Sequence, residues 1–375
     1  MKFRIAAVCP IVALAIAVPL PAQDGGSPKP IPFDAPGAAT VSSPLCAPDC
    51  GTFALANNAA GAVTGYYTDP NIVPHGFLRA PNGHISSFDA PGAGLGHNLN
   101  QGTAAYSIND WGLIAGQFED SSNIYHGFLR YPDGSFSEFD APGAGATAGL
   151  GTFAFDVNLE GAAAGIYYDG NSVEHGFVRS SFGEIRTIDP SGSMGTMVCE
   201  ETCLNAEGTI TGSFFDAKSI YHGFVRAADG KITEFDAPGA GTGAYQGTFS
   251  GSINLEGTTT GYFADASNVL HGFVRDCDGH FNEFDVKGAG TGPGQGTGPF
   301  SINLLGTVAG AFVDGNNVLH GFSRSPYGSV TTFNAPGAGT GATQGTRPST
   351  NNVFGAVSGW FTDGNGLNHG FVWNP

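Results

Sequence analysis

The chain has 375 residues and a formal net charge of −18, with 14 Lys and Arg against 32 Asp and Glu. That balance excludes the basic surface that nucleic acid or anionic lipid would require. Charged residues are only 12% of the chain, about half of the ~25% in an ordinary domain, and 60 Gly with 23 Pro would mean disorder if they kept no period.

Residues 1–22 read as a secretory signal peptide: Lys2 and Arg4 give the basic start, Ile5 to Leu20 the apolar core, and Leu20-Pro21-Ala22 the cleavage end. The apolar run is too short and too interrupted by proline for a membrane span, and no second run follows. The expected product is a soluble protein, secreted or periplasmic. Losing Lys2 and Arg4 takes its charge from −18 to −20. Cys46, Cys50, Cys199, Cys203 and Cys277 remain, an odd set that leaves at least one thiol over. Cys46 and Cys50 could close a small loop after export. Cys199 and Cys203 could do so only off a strand, because four extended residues span ~13 Å. Residues 23–30 form a polar linker, and residues 31–375 are read as one domain.

That domain opens with Ile31-Pro32-Phe33-Asp34-Ala35-Pro36-Gly37-Ala38, and Phe-Asp-Ala-Pro-Gly returns at Phe88, Phe139 and Phe235, with changes at Ile188, Phe284 and Phe333. A second frame, N-x-x-G-x-x-x-G-x-[FY]-x-D-x5-H-G-F, occurs seven times, from Asn58, Asn109, Asn158, Asn205, Asn254, Asn303 and Asn352. Asn and Gly at its first and fourth places suit a tight turn. Gly261, Phe263 and Asp265 share one strand face, as do His271, Phe273 and Arg275. A hairpin over the five-residue loop puts Asp265 opposite His271, Phe263 opposite Phe273 and Gly261 opposite Arg275.

Successive His-Gly-Phe motifs are 47–51 residues apart, with room for four short strands. In the fifth copy these are Thr248–Ile253, Thr258–Ala264, Leu270–Arg275 and His280–Asp285. Four strands per ~40–50 residues is the signature of a propeller blade. The predicted fold is all-β: a seven-bladed β-propeller with four antiparallel strands per blade. The last copy stops after three strands, and Pro32–Pro36 supplies the missing fourth. The N-terminal strand is therefore expected to close the ring on the C-terminal blade, covering an edge soluble proteins do not leave open. The recurrent aromatics, Phe77 to Phe371 on the third strands and Tyr67 to Phe361 on the second, are read as core between blades.

Seven identical Asp/His pairs argue for bracing rather than catalysis. The turn aspartates Asp69, Asp120, Asp169, Asp216, Asp265, Asp314 and Asp363 should ring one face together with the Pro-Gly-Ala-Gly loops. Loops on one face of a rigid scaffold are where binding usually resides, so these aspartates are binding candidates. No cofactor is expected. Calcium is the one metal considered, but each loop offers a single carboxylate where a calcium site gathers several.

Departures from the repeat mark further candidates. The second copy carries Gly96-His97-Asn98 in an enlarged loop and Trp111 in its turn, and both are binding candidates on that face. The fourth is shortened to Cys199-Glu200-Glu201-Thr202-Cys203. Glu200, Glu201 and His97 are the candidate catalytic groups. Arg347 falls in the last loop, and His84 and His280 on the opposite face. H-E-x-x-H, G-x-S-x-G, Walker and C-x-x-C motifs are absent.

The unit H-G-F-[LV]-R…F-D-x-P-G-A…I-N-x-x-G-x-x-x-G-x-[FY]-x-D resembles the bacterial extracellular repeat family called HAF, after His-Ala-Phe, with Gly in place of that Ala in every copy. The resemblance spans residues 31–375 and implies export and a repeated β fold; the family brings no established activity. The reading favoured by the sequence is an exported, monomeric, non-catalytic binding or surface-interaction propeller. Its ligand would be a glycan, a cell-surface polymer or a protein. The alternatives are a secreted hydrolase or lyase using loop-face carboxylates, and a purely structural envelope protein.

Overall fold

The computed structural model describes residues 28–44, 46, 48, 50–96, 101–198 and 202–375. The signal peptide and most of the linker lie outside the described residues, as do His97, Cys199, Glu200 and Glu201. The described residues form 28 strands and no helix, so none contains a helix long and apolar enough to cross a membrane.

The fifth unit shows the plan. Gly247–Ile253, Thr259–Ala264, Leu270–Arg275 and Phe281–Phe284 form an antiparallel meander, with a bulge between Ser250 and Ser252. The unit beginning at Gly345 has only three strands in chain order, Gly345–Asn351, Val357–Thr362 and Asn368–Trp373. Ile31–Phe33 pairs antiparallel with the last of these, Pro32 opposite Phe371. Neighbouring units meet through single parallel bridges, such as Tyr221 with Gly247 and Leu270 with Gly296; Asn368 with Gly51 joins the last unit to the first. Pairing through such bridges gathers the strands into a sheet of 20 and a sheet of 8.

The hairpin register differs from the expected one. Phe263 lies opposite His271, Gly261 opposite Phe273 and Thr259 opposite Arg275. The reason lies in the loop. Asp265 is not a strand residue: its Oδ1 accepts the N–H groups of Ser267 and Val269 at 2.7 and 2.8 Å. The loop therefore runs from Asp265 to Val269, and pairing starts at Ala264 with Leu270. Because each partner moves by two residues, every side chain keeps its face and the expected core survives. Gly261 is not making room for Arg275. A Cβ there would stand 2.0 Å from the Phe249 carbonyl oxygen, where the bulged inner strand crosses closest.

The third-strand phenylalanines, Phe77, Phe128, Phe177, Phe224, Phe273, Phe322 and Phe371, are fully buried, each contributing roughly 1.5–3 kcal/mol. Six of them meet the outer-strand Phe of the preceding unit edge-on, as Phe128 does Phe88 at 6.4 Å and Phe77 does Phe33 at 5.9 Å; Phe224 clusters with Ile188 instead. In five units the arginine two residues on lays its guanidinium over the same ring, at 4.6 Å for Arg130 and 5.0 Å for Arg79. The last unit has Trp373 instead, stacked on Phe333 at 3.9 Å.

At the turn ends the units are tied by their asparagines. The Asn58 side chain donates to the Asn109 carbonyl, Asn109 to Asn158, and so on through Asn205, Asn254 and Asn303 to Asn352, which donates back to Asn58. The distances are 2.8–3.4 Å. Cys46 and Cys50 form a disulfide. Cys203 and Cys277 are also disulfide-bonded, and no described cysteine is free; Cys9 and Cys199 lie outside the described residues.

Candidate functional site

The repeated Asp/His pair is a three-part brace. His271 Nδ1 sits 3.0 Å from both oxygens of Asp285, the outer-strand aspartate, while its Nε2 is 3.7 Å from Asp265 Oδ2. The closer partner is thus the Asp of Phe-Asp, which the hairpin reading missed. A constant spacing of 14 residues from His to that position, in six units, was the signal that could have found it. In the seventh unit Asp34 serves His369 at 2.9 Å, and in the sixth Asn334 replaces the acid at 3.0 Å from His320. The second-strand aromatic lies against each imidazole, with ring centroids 4.9–5.2 Å apart. Hydrogen bonding to Asp89 raises the pKa of His75, and Asp34 does the same for His369.

The seven turn aspartates are occupied in the same way. Each uses one carboxylate oxygen to hold two N–H groups of its own loop, as Asp69 does with Asn71 and Val73 and Asp363 with Asn365 and Leu367. Those hydrogen bonds, led by the Val173 and Ile220 N–H groups, hold Asp169 and Asp216 below the usual carboxylate range. The described residues contain no cluster of three or more His, Cys, Asp or Glu that could hold a metal.

The Asp loops and the Pro-Gly-Ala-Gly loops do share one side. Gly241 N–H donates to the Ala264 carbonyl at 2.8 Å, and Gln246 Nε2 to Asn268 Oδ1 at 3.1 Å. Trp111 does not belong there. It sits in the Asn109 turn, at the other end of the strand that leads to Asp120, and is 72% exposed. His84 and His280 lie at that same far end, in turns closing third to outer strands.

On the Asp-loop side the inner strands enclose a cavity of about 680 Å³. It opens between the Asp-loop ends of the strands, where Tyr168, Glu174, Leu270 and Leu319 contribute to its wall; deeper in, Tyr106, Phe155, Tyr262 and Phe300 line it. A side pocket of about 190 Å³ shares Tyr106 and holds Gln117, Glu119 and Tyr125. Arg347 faces this space from the third place of its inner strand, not from a loop. Its guanidinium lies 4.5 Å from the Phe300 ring and 4.8 Å from the Trp360 ring. Burial pushes the Glu174 carboxyl up to about 7, opposed by a 3.4 Å hydrogen bond from the Tyr168 hydroxyl. Burial also raises Glu119, and lifts Tyr125 and Tyr168 to about 12.

The sequence carried a signal for this cavity that motif reading passed over. The second place of every inner strand is Thr: 52, 103, 152, 196, 248, 297 and 346. The third place is Phe53, Ala104, Phe153, Met197, Phe249, Gly298 and Arg347. The scaffold threonines repeat, and the third-place residues that line the cavity, Met197, Gly298 and Arg347, do not.

Among solved structures the chain is similar to a streptogramin B lyase, at 16% identity and TM-score 0.53, covering 92% of this chain and 98% of that one. It is similar to a puromycin hydrolase at 13% and 0.52, covering 90% and 56%. It is similar to the lectin BP39L from Burkholderia pseudomallei at 10% and 0.52, covering 84% and 94%. These matches show the fold. It is all-β and propeller-like. No protein-family model and no curated protein matches the chain, so the resemblance to HAF repeats stands on the motif alone.

Proposed function

We propose that the protein is a closed seven-bladed β-propeller, exported and monomeric, that acts as a non-catalytic binding module and receives its ligand in the central channel from the Asp-loop side. The cycle of asparagine hydrogen bonds and the pairing of Ile31–Phe33 with Asn368–Trp373 support the closed ring. One observation carries the binding reading: seven units repeat their packing residues yet diverge at the positions that wall the cavity. The acidic exterior and aromatic walls admit a glycan or a small aromatic compound. One of the similar solved structures is a lectin, which agrees with binding.

The test is a thermal-shift screen of the mature protein against glycans, envelope polymers and small aromatic compounds, repeated on Gly298→Phe. That variant installs the residue that Phe53, Phe153 and Phe249 supply at the same place, so it fills the cavity within the repeat's own rules. A ligand that raises Tm in the parent and not in Gly298→Phe supports the proposal. Equal shifts in both, or no shift with any compound, defeats it.

A second reading, catalysis, is favoured by Glu174, a carboxyl poised near neutrality in a partly apolar pocket, as a general acid requires. Turnover lost in Glu174→Gln with ligand binding retained would establish it.

A further inference from the structure

We propose that the side pocket between the first two units binds a primary ammonium group, the headgroup of a small amine, with its N–H donors on Gln117 and Glu119 and its charge against the rings of Tyr66, Tyr106 and Tyr125. This goes beyond the channel reading. Among the described lining residues the side pocket shares only Tyr106 with the main cavity, so the site has its own residues, and a longer ligand would continue past Tyr106 toward that cavity. Its volume of about 190 Å³ is below the ~300–1,000 Å³ of sites for compounds of drug size and suits a headgroup.

Two oxygens in this pocket call for donors. Gln117 and Glu119 alternate on the strand Ile114–Glu119 and so share a face. Glu119 is only 6% exposed, and its Oε2 is buried without a hydrogen-bond partner, as is Oε1 of Gln117. Gln117 Nε2 donates to the Tyr106 hydroxyl at 3.5 Å, and the Tyr125 hydroxyl donates to the Glu119 carboxylate, so one oxygen of each side chain is left over. A buried acceptor without a donor is costly, and more so when it carries charge. Among the described residues no cation offsets Glu119: the one charge acting on it is Asp120, of the same sign. Water or a hydroxyl would satisfy the oxygens and leave that charge. A primary ammonium supplies three N–H donors and the missing positive charge together.

The walls favour a cation as well, because aromatic faces attract one, most strongly out of water. Tyr66 and Tyr106 have ring centroids 6.4 Å apart, inclined at 45°. Tyr66 is stacked on Phe53 at 4.8 Å and Tyr125 lies 4.4 Å from the Phe153 ring, so these rings are set before a ligand arrives. Gly102, opposite Glu119 on the inner strand, brings no side chain into the space. No other unit repeats the arrangement: the other second strands end on Thr, Tyr, Phe, Ala or Val where this one ends on Glu119.

Calorimetric titration tests the assignment, at about 0.15 M salt so that the overall charge of the chain is screened. Three probes share a benzyl group: benzylammonium, uncharged benzyl alcohol, and benzyltrimethylammonium, which keeps the charge without an N–H. Benzylammonium is expected to bind at one site per chain, about tenfold or more tighter than either companion. The isosteric Glu119→Gln should weaken it about tenfold or more and leave benzyl alcohol unchanged. Gln117→Leu, which removes one acceptor, should weaken it about threefold or more, a readout that holds even should Glu119→Gln not fold. Gly298→Phe, which fills the main cavity, should not change it. Comparable affinity for either companion probe, or benzylammonium binding that the Glu119 and Gln117 variants leave intact, overturns the ammonium site. Binding lost in Gly298→Phe places the compound in the main cavity and overturns it too, as does no binding by any probe. The channel reading is judged apart, by the compounds whose thermal shift Gly298→Phe abolishes.

Discussion

At the residue scale, the glycine of His-Gly-Phe has a steric cause. In six units it faces an outer-strand Phe in register: a Cβ on Gly223 would stand 2.5 Å from the Phe235 ring, with 2.5 Å for Gly76 against Phe88, while Gly176 faces Ile188. The alanine of the HAF signature does not fit under that ring without moving it. Gly223→Ala should cost about 1–3 kcal/mol as an overpacked site, read as a lower urea midpoint at unchanged slope. Adding Phe235→Leu should return part of it through coupling of the pair; a neutral Gly223→Ala would show that the ring gives way freely. The sequence displayed this glycine in all seven units but not its reason, because the ring that forbids a side chain arrives from the next strand. Asp156 was less legible still. It is buried, accepts from Ser107 Oγ at 2.8 Å and from Leu204 N–H at 3.0 Å, and so ties three units together. Burial pushes its carboxyl up to about 6.

At the element scale, the second hairpin explains itself. An Asx-type loop ends pairing one residue before the aspartate, and that sets which residues face each other. The motif Asp-x5-His was visible, but the loop's use of its own carboxylate was not, so the register was misjudged by two. The loops also carry a pH prediction. Asp169 and Asp216 have depressed pKa values because loop N–H groups favour the ionised form, and Asp265, Asp314 and Asp363 are depressed as well. For an acid held low in the fold, the contribution is present above the unfolded value of 3.8 and is lost as pH falls through the folded value. Thermal stability should therefore drop on acidification below about pH 4. Asp216→Asn should lessen that drop while lowering Tm at pH 7, where the ionised acceptor is the stronger one. A melting profile flat between pH 5 and 2.5 would refute this.

At the scale of the whole molecule, the first and last described strands meet. Phe33 packs on Phe77 and under Arg79 of the first unit while its strand pairs with the last, so four residues near the N-terminus hold two units that are otherwise most distant in sequence. Deleting residues 31–34 would bare the Asn368–Trp373 edge and strip the Asp34 partner from His369. The expected outcome is a broadened, less cooperative melt and concentration-dependent association through the open edge. Asp34→Ala should retain the fold with a modest loss of Tm. A deletion that melts like the parent would mean that the fold does not depend on this pairing.

The sequence by itself determined the repeat, the four-strand unit, the inter-unit aromatic core and the offset of the two ends. Each of these is written in spacings shorter than one unit, where strand alternation and turn chemistry act locally. Only the tertiary structure brought the candidate site together. Arg347, Glu174 and the cavity's rings come from different units, tens to hundreds of residues apart. Each is an unremarkable departure from the repeat until the fold brings the departures together around one cavity.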